Sequence, residues 1–309
     1  MRTLVVGAGA VGGYFGGRLL EAGRDVTFLV RPRRAAQLAK TGLVIKSPAY
    51  GDYHHPSPKT VQADALREHY DLILLSCKAY DLEDAINSFA PAVGPNTAIL
   101  PVLNGMRHLE VLEQRFGAKA VMGGLAYIAS NVDDEGQIVH LNSNHLICFG
   151  ERDGSLSPRA QAVADEMKGA RFDAKLRDAI VQEMWEKWVF IATGAGLTCL
   201  MRASVGDIEA AGGAQLALKL GEECAAIATA QGFKPSETSM ENTRKAFTTK
   251  GSTLTASMFR DIERGGRTEC EHLLGDLYRR GKPEEVPVLR IAYTHVATYE
   301  VRRAASASG

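Results

Sequence analysis

The stretch that decides the fold stands at the head of the chain: Thr3-Leu4-Val5-Val6-Gly7-Ala8-Gly9-Ala10-Val11-Gly12, running on through an apolar helical period at 14–22 to Gly23 and a second branched run at 25–30. Strand, glycine-rich turn, helix and strand in that order make one βαβ unit. Gly7-x-Gly9-x-x-Gly12 falls where strand passes into helix, the context that gives an otherwise weak pattern meaning. There Gly7 would allow the tight turn, Gly9 would let backbone approach a pyrophosphate, and Gly12 would let the helix lie close on the strand. Ala10 and Val11 would then present first-turn N–H groups, and the positive end of the helix dipole, to the phosphates. The competing reading is a turn whose glycines serve packing alone, and FAD, which uses the same turn, stays open as an alternative to a nicotinamide dinucleotide.

The end of the second strand normally selects the adenosine ribose, with Asp or Glu accepting from the 2′-hydroxyl of NAD. Here it reads Leu29-Val30-Arg31-Pro32-Arg33-Arg34. No carboxylate is present and three guanidinium groups are, which suits a 2′-phosphate that accepts bidentate, charge-assisted hydrogen bonds. The expected cofactor is therefore NADP(H), with Arg31, at the strand terminus, as its contact. Arg33 and Arg34 fit equally well as solvated loop residues.

Working outward, further buried-strand patterns fall at 72–76, 98–103, 121–129 and 145–149, with helical patterns at 82–92 and 108–116. Alternation of this kind implies a mostly parallel, doubly wound sheet covered on both faces. Residues 43–61, with Pro48, Pro56, Pro58 and the pair His54 and His55, read as a hairpin or an irregular excursion. Successive strand residues point to opposite faces, so the two histidines read as solvated rather than as metal ligands, and no metal site is expected. After Gly150 the texture changes: strand patterns thin to one, at 171–176, and helical periods follow at 180–192, 214–230, 253–264, 269–280 and 288–302. The expected organisation is an α/β dinucleotide-binding domain over 1–177 and an all-α domain over 178–309 that binds substrate and mediates self-association. The alanine-rich face of 214–230 suits close helix contact, within the chain or between two copies. With no linker-like segment, the two domains are expected to pack closely and leave a cleft.

Composition narrows the class. In 309 residues, 45% are hydrophobic and 23% charged, ordinary for a chain that buries a sizeable core. Lys plus Arg and Asp plus Glu number 36 each, so no global field recruits nucleic acid or an anionic membrane. Cys77, Cys148, Cys199, Cys224 and Cys270 are widely spaced, without a CxxC pair, and read as reduced thiols. The first residues lack the basic flank and cleavage pattern of a signal peptide, and no apolar run approaches the ~20 residues of a membrane span. A cytoplasmic location is expected.

The sequence resembles the ketopantoate reductases nearly end to end. Beyond the glycine motif and Leu29-Val-Arg31, the resemblance rests on Cys77-Lys78-Ala79-Tyr80, Leu103-Asn104-Gly105-Met106, Trp185-Glu-Lys187, Ser257-Met258-x-x-Asp261, Thr268-Glu269 and Val286-Pro287-Val288-Leu289. No one of these is specific; their order across two domains is. The resemblance implies NADPH-dependent reduction of a 2-keto acid, ketopantoate, to pantoate, on the route to pantothenate. It puts Lys187 in the role of proton donor to the carbonyl oxygen and Glu269 in that of a partner for the lysine or the substrate hydroxyl. It also assigns Ser257 to the substrate, Lys78 to the cofactor, and Asn104 to either. Read by residues alone, Lys187 would be a surface lysine on an amphipathic helix, and Asn104-Gly105 simple turn chemistry.

The resemblance breaks along one face. The family carries asparagines four and eight residues beyond the lysine and another in the following turn; this chain has Ile191, Ala195 and Val205. An apolar wall there would suit a 2-keto acid with a bulkier, less polar side chain. Alternatively Thr193, Thr198 or Ser204 restores the lost hydrogen bonds and the substrate is unchanged. Three functions follow: a ketopantoate reductase, a related 2-hydroxyacid dehydrogenase, or a catalytically silent NADP-binding regulator, against which the retention of both Lys187 and Glu269 argues.

Overall fold

The structure is a computed structural model that describes residues 1–307. The chain divides into two compact units: Met1–Leu103 with His108–Val181, and Asn104–Arg107 with Gln182–Gly309.

In the first unit, β1 (Arg2–Val6), α1 (Ala10–Glu21) and β2 (Asp25–Leu29) form the expected βαβ, followed by α2 (Pro32–Thr41), β3 (Leu43–Lys46), β4 (Tyr53–His55), β5 (Lys59–Val61) and β6 (Tyr70–Leu75). Then come α3 (Leu82–Phe89), β7 (Val93–Pro101), α4 (Arg107–Phe116), β8 (Gly123–Val132), β9 (Ile138–Gly150), α5 (Pro158–Met167) and β10 (Asp173–Leu176). The first sheet runs β5-β2-β1-β6-β7 and is parallel throughout, with Val5 between Phe28 and Leu74. Its central strands are buried at nearly every position because both faces are covered.

A second sheet runs β10-β9-β3-β4, with β8 also on β9. Helix α1 packs against strands of both sheets. Its glycines make this close approach possible: a Cβ on Gly13 would stand 2.5 Å from Ile138, on Gly16 2.7 Å from Phe28, and on Gly17 2.7 Å from Ile45. Helix propensity is given up for close packing. Tyr14, Phe15, Phe28, Ile45, Phe149 and Phe172 lie in one continuous core that takes residues from α1 and both sheets.

The segment 43–61 is a hairpin, β3 with β4, whose continuation β5 returns to the parallel sheet beside β2. His54 is spent on a hydrogen bond between its Nε2 and the Thr41 carbonyl. Strand β9 begins seven residues earlier than the apolar pattern at 145–149, since Leu141 to Asn144 are exposed and carry no burial signal. It pairs antiparallel with β8 across the turn at Asp133–Gly136, an antiparallel addition to a mostly parallel expectation. Helix α2, absent from the sequence reading, starts on Pro32 at its first position, where proline is pre-organised.

The second unit comprises α6 (Ile180–Met201), α7 (Val205–Ala210), α8 (Ala214–Ala230), α9 (Glu237–Thr248), α10 (Ser257–Glu263), α11 (Asp276–Arg280) and α12 (Pro287–Ala307). Helix α6 outruns the expected end at 192, because Gly194 and Gly196 are contact points rather than breakers: Phe247 and Leu220 fill the space their side chains would take. Trp188, Val189, Ala192 and Leu197 are fully buried, as in a helix that is apolar around most of its circumference. Helix α10 starts at Ser257 rather than Thr253, because 252–254 is irregular and its carbonyls accept from the start of α7, Gly206 N to Ser252 O and Val205 N to Leu254 O. The single helix expected at 269–280 is a π-helical turn, Glu271–Gly275, leading into α11. Buried Glu223 of α8 accepts from Val288 N (3.3 Å) and Leu289 N (2.9 Å), closing the N-terminus of α12 with a carboxylate.

Candidate functional site

The glycine turn joins the C-terminal end of β1 to α1. Gly7 has φ +93°, a value only glycine adopts cheaply, and its N–H donates to Leu29 O at 2.9 Å. A Cβ on Gly12 would collide with Ser76 Oγ and with the Gly7 carbonyl, so the helix start is seated directly on the turn. Gly9, the N-cap of α1, faces open space, and no side chain caps the helix. An exposed glycine with room beside it and an uncapped helix N-terminus, with Ala10 and Val11 in its first turn, fits the diphosphate of a dinucleotide.

The arginines after β2 divide. Arg34 donates through Nε to Ala8 O (2.9 Å) and through NH1 to Gly136 O (2.8 Å), so it braces the glycine turn against the β8–β9 turn. Arg33 is exposed. Arg31, the N-cap of α2, is exposed and paired with Asp81 at 3.1 Å, with Asp84 at 3.7 Å beyond it. Its hydrogen bond to the Asp81 carboxylate holds the guanidinium above the ordinary value. Neither aspartate was singled out from the sequence; the Cys77-Lys78-Ala79-Tyr80 motif stops one residue short of the first. Lys78 stands exposed just past β6, where its carbonyl accepts the Asp81 N–H at 2.9 Å. Parallel sheets offer ligand-binding residues at this end of their strands.

The remaining candidates, Asn104, Lys187, Ser257 and Glu269, belong to the second unit. Lys187 projects from α6 and is only 8% exposed, so it is not the surface lysine that sequence alone suggests. Next to it, Trp188 is fully buried and its indole N–H donates to Leu273 O at 3.0 Å, which pins the π-helical turn to α6. Glu269 precedes that turn on a fixed backbone: Thr268 N donates to Glu300 Oε1 (2.7 Å), and the N–H groups of His272 (3.1 Å) and Leu273 (2.9 Å) both donate to Glu269 O. Asn104-Gly105 meets the same turn. Gly105 has φ +79°, and a Cβ there would stand 3.0 Å from the His272 ring. His272 itself is 7% exposed, lies against the Asn104-Gly105 backbone and sits in the field of Glu269. Burial pushes its imidazole below the ordinary value. Asn104, Glu269 and the helix carrying Lys187 thus converge on one turn, while Ser257, exposed at the start of α10, takes no part in these bonds. His272 was missed in the sequence, where a single histidine three residues past Glu269 gives no signal of its own.

On the face beyond Lys187, Ile191 is partly buried, and Ala195 and Val205 are buried. The hydroxyls that could have replaced the missing amides are committed locally: Thr193 Oγ1 donates to Val189 O (2.7 Å), Thr198 Oγ1 to Gly194 O (2.8 Å), and Ser204 closes a capping box on α7 with Asp207.

A dinucleotide-type turn at the head of a parallel sheet, in a chain that also buries an ammonium among helices, defines a Rossmann-like oxidoreductase. Residues 3–154 match the family model described as ketopantoate reductase PanE/ApbA, and residues 179–300 match its C-terminal counterpart. The chain belongs to the ketopantoate reductase family. It is 37% identical over 98% of its length, and all of the relative's, to the uncharacterized oxidoreductase YkpB of Bacillus subtilis. The crystal structure of 2-dehydropantoate 2-reductase from Methylococcus capsulatus is similar at 26% identity and TM-score 0.86, over 98% of both chains. The fold is also that of a D-mandelate dehydrogenase solved with NADH and anilino(oxo)acetate, at 20% identity and TM-score 0.85 over 97% of this chain and 99% of that one. Among the described residues, no helix is long and apolar enough to cross a membrane.

Proposed function

We propose that this protein reduces a 2-keto acid to the 2-hydroxy acid with NADPH, ketopantoate to pantoate being the first reaction to test. The observation that carries the reading is the burial of Lys187 on the helix whose next residue, Trp188, bonds the turn that Asn104-Gly105 and Glu269 also meet. When bound, the reduced nicotinamide supplies the hydride. The uncapped start of α1 holds the diphosphate, Arg31 takes the 2′-phosphate, and Lys78 serves the cofactor. Lys187 donates a hydrogen bond to the ketone oxygen and gives it a proton as the C2–H bond forms, ending as the neutral amine; a compact ammonium is suited to this. Asn104 and Glu269 orient the keto acid and the lysine.

A second reading, a 2-hydroxyacid dehydrogenase for a less polar side chain, is favoured by one observation. Ala195 and Val205 are buried, and the hydroxyls of Thr193, Thr198 and Ser204 are already engaged, that of Thr198 also by Ala256 N. A site that lacks hydrogen-bonding groups rejects apolar side chains weakly. The deciding experiment is a panel of 2-keto acids, ketopantoate and branched or aromatic ones, each followed by loss of the NADPH absorbance. Preference for ketopantoate supports the first reading and preference for the apolar acids the second. No turnover with any of them leaves the dinucleotide-binding regulator.

A further inference from the structure

We propose that His272 is a positioning residue of the reductase site: its ring, clamped between the Asn104-Gly105 backbone and the π-helical turn, holds Asn104 in register with Glu269. This deepens the reductase reading and rests on it.

Three observations converge on the imidazole. First, it is 7% exposed and lies against the Asn104-Gly105 backbone across more than 160 residues of chain, so it packs together two segments that the sequence separates. Second, Gly105 lies against it: a Cβ would stand 3.0 Å from Cδ2, 3.2 Å from Nε2 and 3.3 Å from the His272 carbonyl, and φ at Gly105 is +79°. The turn after Asn104 is therefore shaped to the ring as well as to its own chain reversal. Third, the backbone under the ring is irregular. The residues Glu271–Gly275 form a π-helical turn, a feature that costs hydrogen-bond quality and collects at functional sites. Two N–H groups share Glu269 O, and the Leu273 carbonyl turns to the indole of Trp188, the residue after Lys187. A regular helix would point residue 272 elsewhere.

The charges facing the ring are Glu269 and Asp276 on its own segment and Arg107 on the segment of Asn104. Burial outweighs the two carboxylates and pushes the imidazole below its ordinary value. A neutral ring keeps one N–H to offer the Asn104 carbonyl.

The consequence is a split in kinetics. His272→Met keeps much of the volume and removes the ring N–H; His272→Gln restores a donor. With the keto acid that the unsubstituted protein turns over best, His272→Met should raise KM for the acid and lower kcat by roughly 10-fold or more each, the scale of leaving a buried acceptor unsatisfied. His272→Gln should recover most of both. NADPH affinity, read separately by fluorescence titration, should stay within about threefold, whereas affinity for the 2-hydroxy acid product should weaken. Product binding that weakens in His272→Met and recovers in His272→Gln places the effect on substrate without relying on turnover. Kinetics in which Met and Gln behave alike, or in which both lose NADPH binding as much as keto-acid binding, overturn the proposal and leave His272 a packing residue. An unsubstituted protein that reduces no keto acid overturns the reductase reading itself, and this inference with it.

Discussion

Replacing Asp81 by Asn should tighten NADPH binding and leave NADH almost unchanged. Arg31, the residue expected to meet the 2′-phosphate, is held by Asp81 at 3.1 Å, with Asp84 at 3.7 Å, so a phosphate must displace or share an existing carboxylate. The side chains of Arg31 and Asp81 are 66% and 30% exposed, which puts their pair among exposed ion pairs worth about 0.2–1 kcal/mol. By contrast, hydrogen bonds from a guanidinium to a phosphate are worth about 1.5–3 kcal/mol, so phosphate wins the contest but gives up part of its gain. Asn keeps the shape, releases the arginine and removes a negative charge from beside the phosphate. The two effects add, and about a twofold to tenfold gain for NADPH follows. NADH leaves the Arg31 pair intact and should move by less than about twofold. The assay is titration of both cofactors against Asp81→Asn and the unsubstituted protein at two ionic strengths. Moving from about 0.01 M to about 0.15 M shortens the Debye length from about 30 Å to about 8 Å and should shrink the difference. Equal gains for both cofactors, or weaker NADPH binding, would refute the reasoning and with it the assignment of Arg31.

Lys187→Ala should cut kcat by about 10² while cofactor affinity stays within a few fold, and near-native turnover in the variant would send the search for the acid elsewhere. Gly12→Ala should unseat α1, because the new methyl meets Ser76 Oγ and the Gly7 carbonyl; an overpacking cost of about 1–3 kcal/mol and loss of dinucleotide binding are expected in denaturant titration and fluorescence. His145 is pushed below its ordinary value, chiefly by burial, against Tyr14 (2.9 Å), Tyr50, His140, Asp173 and Arg18. An imidazole whose folded pKa is depressed takes up its proton more readily when unfolded, so its contribution is complete above about pH 6.5 and is lost as pH falls below it. The melting temperature should therefore drop from pH 7.5 toward pH 5, and His145→Gln should flatten that drop; an unchanged slope would remove the cluster from the account.

The fold was most legible where one physical signal dominated. The first βαβ could be read because branched strands, a glycine turn and an apolar helical period each carry their own pattern, and Val6, Gly7 and Gly12 stand where that pattern puts them. Strand β9 was read only over its buried end, since its first half alternates too weakly and projects Asn142, Ser143 and Asn144 into solvent. Helix α6 was cut short because Gly194 and Gly196 weigh against helix by propensity, whereas in the folded chain each makes room for a neighbour, Phe247 or Leu220. Propensity is local and packing is not. The same gap hides Glu223, whose task is set by the start of α12, 65 residues away.

For the site, chemistry types survived the reading better than partners did. Lys187, Asn104 and Glu269 could be nominated because the family resemblance ties each to a position, yet nothing in the sequence says that the lysine is buried or that Asn104 and Glu269 meet the same turn. That meeting depends on a π-helical turn, and a π-helical turn leaves no periodicity to find: residues 269–280 satisfy an ordinary helical pattern, and one displaced carbonyl, at Leu273, redirects the segment toward Trp188. Arg31 shows the converse. Three arginines in four positions read as one phosphate site, but Arg34 is occupied by the carbonyls of Ala8 and Gly136, and Arg31, on the surface as Arg33 is, already answers to two aspartates. A charge count along the chain gives the sign of a site; which of its charges a ligand can claim depends on what the fold has engaged first. By that reasoning the cofactor preference should turn on Asp81, a residue no motif includes, as much as on the arginine that the motif supplies.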